Sequence, residues 1–182
     1  MCFKEVKCRV DYSIGDTVYL PNDISCLCGT RTDEDTVYSS VSGISIFSNG
    51  DNSGNREVRY TLDLSINGSN KEIILDEKIL RDVAISTPKK RLVRYGYSTS
   101  LDKDTLAKLV GVSDVDLDCI TQRIVSISVN VLKTNRCVVD LHRVIVYKDK
   151  SYFTLENDFF NEPKLIEKQA IFDSYYKFIN KK

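Results

Sequence analysis

The chain has 182 residues, its 26 Lys and Arg are balanced by 26 Asp and Glu, and 42% of its residues are apolar. Such a chain is long and apolar enough to bury a core, which excludes a disordered protein. The zero net charge also lacks the basic excess typical of dedicated nucleic-acid binders. Apolar runs such as residues 144–147 fall far short of the ~20 residues of a membrane helix, and the first residues do not resemble a secretory signal. We therefore expect an intracellular protein without membrane contact, whose six cysteines are reduced.

The first half reads as short strands joined by tight turns. Gly15 and Asp16 predict a turn, because glycine tolerates positive φ and aspartate bonds its own backbone. Asn49-Gly50 and Asn67-Gly68 predict hairpin turns. Between them, residues 58–66 alternate between apolar and polar side chains, as in a half-buried antiparallel strand. The predicted strands are 1–10, 17–20, 37–47, 58–66 and 71–75, followed by a short helix or turn over 76–82.

Four stretches of this half carry a resemblance to a known class of module. They read Ile-Gly-Asp-Thr-Val-Tyr at 14–19, Val-Ser-Gly-Ile-Ser-Ile at 41–46, Val-Arg-Tyr-Thr-Leu-Asp-Leu at 58–64 and Glu-Ile-Ile-Leu-Asp-Glu-Lys-Ile-Leu at 72–80. This series resembles the small SH3-like barrels frequent in phage and mobile-element proteins. In those barrels a Gly-Asp-x-Val-Tyr strand starts the fold and a Glu-x-x-Leu-type turn ends it. The resemblance covers under half of the chain; it implies an N-terminal SH3-like antiparallel barrel and a location in the host cytoplasm or a virion, but no activity.

The second half predicts an α+β arrangement. Thr87-Pro88 breaks the strand pattern, and residues 101–112 have helical apolar spacing with Ser100 or Asp102 as cap. Strands are expected over 123–132, 137–147 and 151–155. A closing helix is expected to start at Asn161 to Pro163, with an apolar face of Leu165, Ile166, Ala170, Phe172, Tyr175, Tyr176 and Ile179. The predicted fold is therefore mainly β or α+β, with a barrel over 1–88, a linker over 89–100, and over 101–182 an antiparallel sheet with one short and one terminal helix.

The predicted linker holds a basic-aromatic cluster. Exposed aromatic rings can stack on bases while cations hold phosphate, so the cluster is a candidate nucleic-acid site. A solvated linker is the alternative that we favour. The cluster consists of Lys89, Lys90, Arg91, Arg94, Tyr95 and Tyr97.

Residues 105–113 resemble a helix-turn-helix, with Ala107 in the first helix and Gly111 at the turn. The segment that would be the recognition helix is acidic, and carboxylates there repel phosphate. A helix and loop packed on the C-terminal sheet is therefore favoured over DNA recognition. The acidic residues are Asp114, Asp116 and Asp118.

The spacing of these aspartates also fits the first three ligands of a calcium loop. Cys119 and Val125 stand where such a loop requires Gly and Glu. Solvated carboxylates that cap a helix start are therefore the favoured interpretation.

Four cysteines of the first half form a candidate zinc set. Their pairs are separated by five residues and by one, unlike the usual spacing of structural zinc ligands, so buried thiols are favoured. His142, the sole histidine, lies in a strand that is apolar on both faces, which favours a structural role. No catalytic, phosphate-binding or dinucleotide motif occurs, and we expect a non-enzymatic protein without cofactor or metal. The four cysteines are Cys2, Cys8, Cys26 and Cys28.

The function expected from the sequence is protein–protein interaction. A phage virion assembly or connector component, with a protein partner or self-assembly, is the first hypothesis. An inhibitor of a host defence protein and a nucleic-acid-binding protein are the alternatives. Function is expected to lie in the loops at 21–36 and 48–56.

Overall fold

The computed structural model describes residues 3–21, 36–50, 56–66, 68–157 and 162–179. Within these ranges the chain is mainly β, with antiparallel sheets and three α-helices, as the alternating apolar pattern predicts. One short 3-10 turn, Leu117–Cys119, precedes the seventh strand. The strands and helices are β1 Phe3–Val10, β2 Thr17–Pro21, β3 Thr36–Asn49, β4 Arg56–Ile66, β5 Ser69–Asp76, α1 Glu77–Val83, β6 Arg91–Ser98, α2 Lys103–Val110, β7 Ile120–Val131, β8 Cys137–Tyr147, β9 Lys150–Asn157, β10 Lys164–Ile166 and α3 Lys168–Ile179.

The larger sheet is organised around β3. In the described part of the chain its order is β10-β9-β8-β7-β3-β4-β5, and β2 also pairs with β3. The long β3 uses one edge for β4 and divides the other between β2 and β7. A bulge between Val41 and Gly43 separates these two parts of the strand. Gly43 suits this position, because a Cβ there would lie 3.3 Å from the Cβ of Thr61.

The expectation of a closed barrel over residues 1–88 is wrong. Among the described residues, β5 and β10 end the sheet on opposite sides and do not pair, so the sheet is open. The strand expected to open the barrel, β1, instead pairs with β6, from Phe3 opposite Ser98 to Val10 opposite Arg91. The first-half strands therefore bury their apolar face under a second layer, and do not need to curl into a barrel.

The two-stranded ribbon of β1 and β6 covers one face of the sheet and builds the main core. Alternate ribbon residues such as Val6 and Tyr95 join sheet residues such as Ile46, Tyr60 and Val129 in one buried cluster. On the same face, α2 packs its apolar side chains against β8 in a second cluster. This second cluster comprises Leu101, Leu106, Ala107, Leu109, Val110, Val115, Ile145 and Tyr147.

Helix α3 lies on the opposite face. Phe47 follows Ile46 in β3 and therefore points away from the main core. Its ring stacks on that of Phe178, with centroids 5.1 Å apart, and Arg59 donates from Nη1 to the Phe178 carbonyl at 2.8 Å. The C-terminal end of α3 is thereby fixed to β3 and β4.

The sheet continues across the predicted domain boundary. Strand β3, from the first half, pairs with β7, from the second, from Ile44 opposite Val131 to Asn49 opposite Ser126. The predicted linker over 89–100 contains β6, whose side chains enter the main core. The division into 1–88 and 101–182 stays a prediction, and the two parts share one sheet.

The segment 76–82, predicted as a short helix or turn, is a helix, and the helix predicted over 101–112 is confirmed with Asp102 as its cap. Helix α1 begins after Asp76, whose carboxylate accepts from the Lys78 amide at 2.7 Å. Helix α2 begins after Asp102, which accepts from the Thr105 amide at 2.8 Å, and ends at Gly111 with φ of 77°.

The predicted start of the closing helix at Asn161 to Pro163 is wrong for the described part, and Asn161 itself lies outside the described residues. Leu165 and Ile166 belong to β10, which supplies β9 with a partner on an edge that would otherwise be open. The buried face of α3 is also rotated: Ile171 and Phe178 are buried, whereas Phe172 is 50% exposed. The side chains of Tyr175, Tyr176 and Ile179 are outside the described residues.

Candidate functional site

The basic-aromatic cluster is divided between two sides of β6. Tyr95 and Tyr97 are each 6% exposed and belong to the main core, whereas Arg94 points to solvent. Base stacking needs an exposed ring face, so these tyrosines are unsuited to it.

The cations of the cluster are exposed. Lys89, Lys90 and Arg91 precede or begin β6, and the Lys89 ammonium lies 3.8 Å from the Asp16 carboxylate. Nucleic-acid binding at this cluster stays a prediction that would depend on charge without ring stacking.

Of the candidate zinc ligands, Cys2, Cys26 and Cys28 lie outside the described residues. Cys8 is 4% exposed and packs in the main core, where burial raises the pKa of its thiol. In the described ranges, no group of three His, Cys, Asp or Glu side chains is placed to hold a metal ion.

The three aspartates that follow α2 make local contacts. Asp114 pairs with Lys103 at 3.0 Å, and Asp116 accepts from the Asp118 amide at 3.0 Å. A 3-10 turn of three residues, Leu117–Cys119, stands where the helix-turn-helix pattern would place a recognition helix. The segment is a helix and loop on the sheet, as favoured above.

His142 lies under α3's side of the sheet and is 4% exposed. Its Nδ1 is 3.2 Å from the Ser126 hydroxyl on the neighbouring strand. Burial lowers the pKa of the imidazole, and the nearby Asp140 opposes this shift only in part. A neutral histidine held by one hydroxyl fits a structural role.

A polar network joins the turn after β1 to α1 and β4. The Asp11 carboxylate receives two hydrogen bonds from Arg81, from Nε at 2.6 Å and from Nη2 at 3.0 Å. The Asp11 amide donates to the Tyr60 hydroxyl at 2.7 Å, and that hydroxyl donates to Glu77. Arg81 also contacts Glu77 at 2.9 Å one helical turn away.

The groups of this network hold one another in place. Burial is the main cause that raises the pKa of both Tyr60 and Glu77. Asp11, Tyr60, Glu77 and Arg81 each have a protein partner within the network. We interpret this network as the set of contacts that fixes α1 against the sheet. The sequence does not reveal this role, because Asp11, Tyr60 and Glu77 are far apart in the chain.

A second network surrounds Arg143, which is fully buried in β8. Its guanidinium contacts Glu156 from Nε at 3.0 Å and from Nη2 at 3.3 Å. It also donates to the carbonyls of Ser98 at 2.7 Å and Thr99 at 3.0 Å, and to Gln122 at 3.3 Å. The arginine thereby attaches the end of the β1–β6 ribbon to three strands of the larger sheet.

Among the described residues, two exposed aromatic rings meet where β2 and β3 pair. Tyr19 and Tyr38 are opposite one another in the register, and their rings meet edge to face with centroids 5.1 Å apart. They are 40% and 60% exposed, and Ile85, which donates from its amide to the Tyr19 carbonyl at 2.8 Å, is 60% exposed. We call Tyr19, Tyr38 and Ile85 the aromatic patch.

The aromatic patch lies at the base of the loop singled out from the sequence. Residues 22–35 of that loop and 51–55 of the other predicted loop are outside the described residues. Pro21 ends β2 and Thr36 begins β3, so the patch directly adjoins the first loop. The sequence contains one signal for the aromatic patch. Tyr19 alternates with the apolar residues Val18 and Leu20, so its side chain is expected to point away from the core.

A groove separates the first half of α3 from the sheet. Its volume is about 710 Å³, and strands β7, β8 and β9 form its floor. The lining is mostly apolar, and Arg123 and Lys168 are its charged members. The apolar lining residues are Val125, Val144, Val146, Phe153, Ile171 and Phe172.

No helix within the described ranges is long and apolar enough to cross a membrane. A scan against protein-family models and searches of curated proteins and of solved structures each found no match for this chain.

Proposed function

We propose that the protein is a non-enzymatic protein–protein interaction module and that the aromatic patch is its contact surface. The exposed pair of Tyr19 and Tyr38 is the observation that carries this proposal. Tyrosine is enriched at protein interfaces, because its ring buries a large apolar area with little loss of rotamer freedom while its hydroxyl tolerates water.

The strand pairing makes the patch rigid. The two rings are held by a backbone register, and the Tyr19 strand is held on its other edge by Ser86, whose hydroxyl accepts from the Tyr19 amide at 2.7 Å. A preorganised aromatic surface loses little entropy on binding, which favours affinity.

As a biological setting we propose phage virion assembly, with the protein as a self-associating or connector component. The short SH3-like motifs of the first half support this proposal. The proposed partner of the patch is a second copy of the chain.

The test is the native mass of the purified protein over a range of concentrations, for the wild type and for the double variant Tyr19→Thr with Tyr38→Thr. Threonine keeps strand propensity while it removes both rings. We expect a concentration-dependent oligomer that the double variant abolishes. The matched control is Leu117→Thr, which removes a 56% exposed side chain elsewhere and should leave the mass unchanged.

A wild type that stays monomeric at all concentrations would contradict self-association. If that monomer instead captures one host protein in a fixed ratio, the result would favour an inhibitor of host defence over an assembly component.

A further inference from the structure

We propose that the groove between α3 and the sheet binds a small anionic amphiphile, a chain or ring of apolar carbon that carries one carboxylate. The site is separate from the aromatic patch, and the proposal does not depend on the interaction proposed above.

The floor of the groove follows the strand register. Thr121, Val146 and Ser151 are directly opposite one another across β7, β8 and β9, and Arg123, Val144 and Phe153 form the next row. Side chains in one such row point to the same face of a sheet. The floor is therefore a fixed surface with apolar side chains at its centre.

Helix α3 forms the wall. Ile171 and Phe172 face the groove, together with Lys168 at the first position of the helix. Phe172 is 50% exposed and Val146 is 37% exposed, so apolar surface remains uncovered on both sides of the groove. An apolar ligand body placed there would remove this area from water, which favours binding.

The charge along the groove has one sign. Arg123 and Lys168 are the ionisable residues of the described lining, and within the described part of the chain no carboxylate pairs with either of them. Their free donors, next to apolar surface, complement a carboxylate at the end of an apolar body.

The dimensions also fit a small ligand. Small-molecule sites are typically clefts of about 300–1,000 Å³ lined mainly by apolar side chains with a few polar groups that orient the ligand. The groove, at about 710 Å³ with apolar members from both layers, meets this description.

The experiment is calorimetric titration of the full chain with dodecanoate below its micellar concentration, compared with dodecyltrimethylammonium as a cation of the same chain length. We expect dodecanoate to bind one to one and the cationic amphiphile to bind far more weakly. The variants Arg123→Glu and Lys168→Glu should each weaken dodecanoate binding on the order of tenfold, because each removes a charge-assisted contact.

Further variants locate the site. Phe172→Gln should weaken dodecanoate binding, because it removes part of the apolar wall. Lys133→Glu, which reverses an exposed cation outside the groove, should leave the affinity unchanged, and so should the Tyr19→Thr and Tyr38→Thr double variant. Urea unfolding of every variant checks that the fold is retained.

Three results would overturn the proposal. These are the absence of dodecanoate binding, equal binding of the anionic and cationic amphiphiles, and an affinity that neither Arg123→Glu nor Lys168→Glu changes.

Discussion

Arg143 has no exposed surface, although arginine is among the residues least often buried. A buried guanidinium is tolerated only when its charge and its donors are matched. Here Glu156 supplies the charge and two acceptors, and the remaining donors reach backbone carbonyls and Gln122. Lysine could not reproduce this arrangement, because an ammonium lacks the planar fork of donors.

We expect Arg143→Lys to lower the free energy of unfolding by about 3 kcal/mol, since it breaks a buried, bidentate ion pair. Urea unfolding monitored by circular dichroism measures the change. The control is Arg123→Lys, at an exposed position of the next strand, where a change within about 0.5 kcal/mol is expected. A loss below about 1 kcal/mol for Arg143→Lys would contradict the assigned role.

His142 predicts a dependence of stability on pH. Its pKa is lowered from the ordinary value of 6.5, mainly by burial, so the folded state favours the neutral ring. Its contribution to stability is therefore fully present above pH 6.5 and is lost as the pH falls below that value.

We expect the free energy of unfolding to fall between pH 7.5 and pH 5.5, and to fall less in His142→Asn, whose amide oxygen can still face Ser126. The difference between the two urea titrations isolates the histidine, because the chain contains one histidine. Equal slopes for the two proteins would contradict the prediction.

For single residues, the sequence predicts the burial of His142, because the apolar side chains on both faces of its strand indicate a strand buried on both sides. It could not predict the role of Arg143, since the acceptors at Ser98 and Thr99 lie more than 40 residues away. The sequence predicts Tyr95 and Tyr97 as members of a candidate site because they adjoin cations. Val93, Tyr95 and Tyr97 occupy every second position, which indicates one face of a strand that points to the core.

Residues next to helix α2 determine both of its ends: Asp102 caps the start and Gly111 caps the end. Gly111 adopts φ of 77°, and an added Cβ would meet no atom within 4 Å. Any cost of substitution at this position therefore comes from backbone conformation alone.

Gly111→Ala should lower the free energy of unfolding by about 1 kcal/mol, the cost of a left-handed conformation for a residue with a Cβ. Gly111→Asn should cost less, because asparagine tolerates this region. Scanning calorimetry of the three proteins gives the order of melting temperatures. An alanine variant as stable as the wild type would be incompatible with a left-handed cap.

Helix α3 depends on tertiary contacts for its attachment. Phe178 is 5% exposed and Phe47 is 3% exposed, and their rings stack. We expect Phe178→Ala to cost about 3 kcal/mol or more, because it leaves a cavity against Phe47. Amide hydrogen exchange should accelerate in α3, while α2 on the opposite face serves as the internal control. Equal acceleration in both helices would indicate global destabilisation instead of local release of α3.

The segment before α3 shows why local patterns mislead. Leu165 and Ile166 fit the helical spacing of the residues that follow, and the sequence indicates a helix through them. In the structure they pair with Thr154 and Phe153, because the edge of β9 offers backbone partners there. The residues near 165 in the sequence do not reveal that the edge of β9 is available for pairing. Tertiary context therefore overrides the local helical preference.

For the whole molecule, the continuous sheet predicts one cooperative unit. Without β6 and β7, residues 1–88 leave part of the main core uncovered, and without β3, residues 101–182 leave one edge of β7 unpaired. We expect one unfolding transition, with equal calorimetric and van't Hoff enthalpies. A fragment of residues 1–88, which lacks β6, should not fold. Two separated transitions, or a folded fragment, would instead support the predicted division into 1–88 and 101–182.

The positions of the strands can be predicted from the sequence, whereas the pairing between distant strands cannot. Val58 to Ile66 alternate so regularly that the existence and buried face of β4 follow from the sequence. That β1 pairs with β6 depends on residues separated by most of the first half, and the sequence contains no local record of it. The sequence predicts a barrel because closure among neighbouring strands is the simplest arrangement when no distant partner strand can be recognised.

The pairing of β1 with β6 also determines what can happen while the chain is being made. The first strand leaves the ribosome long before its partner, since about 80 residues separate Val10 from Arg91. At about 5–20 residues per second, this interval lasts about 4 to 16 s. Throughout it, Val6 and Val10 have no partner strand, and β3 lacks β7 for a similar interval. The nascent chain therefore carries β1 as an unpaired strand for seconds, and an unpaired strand of this kind exposes the chain to aggregation during synthesis.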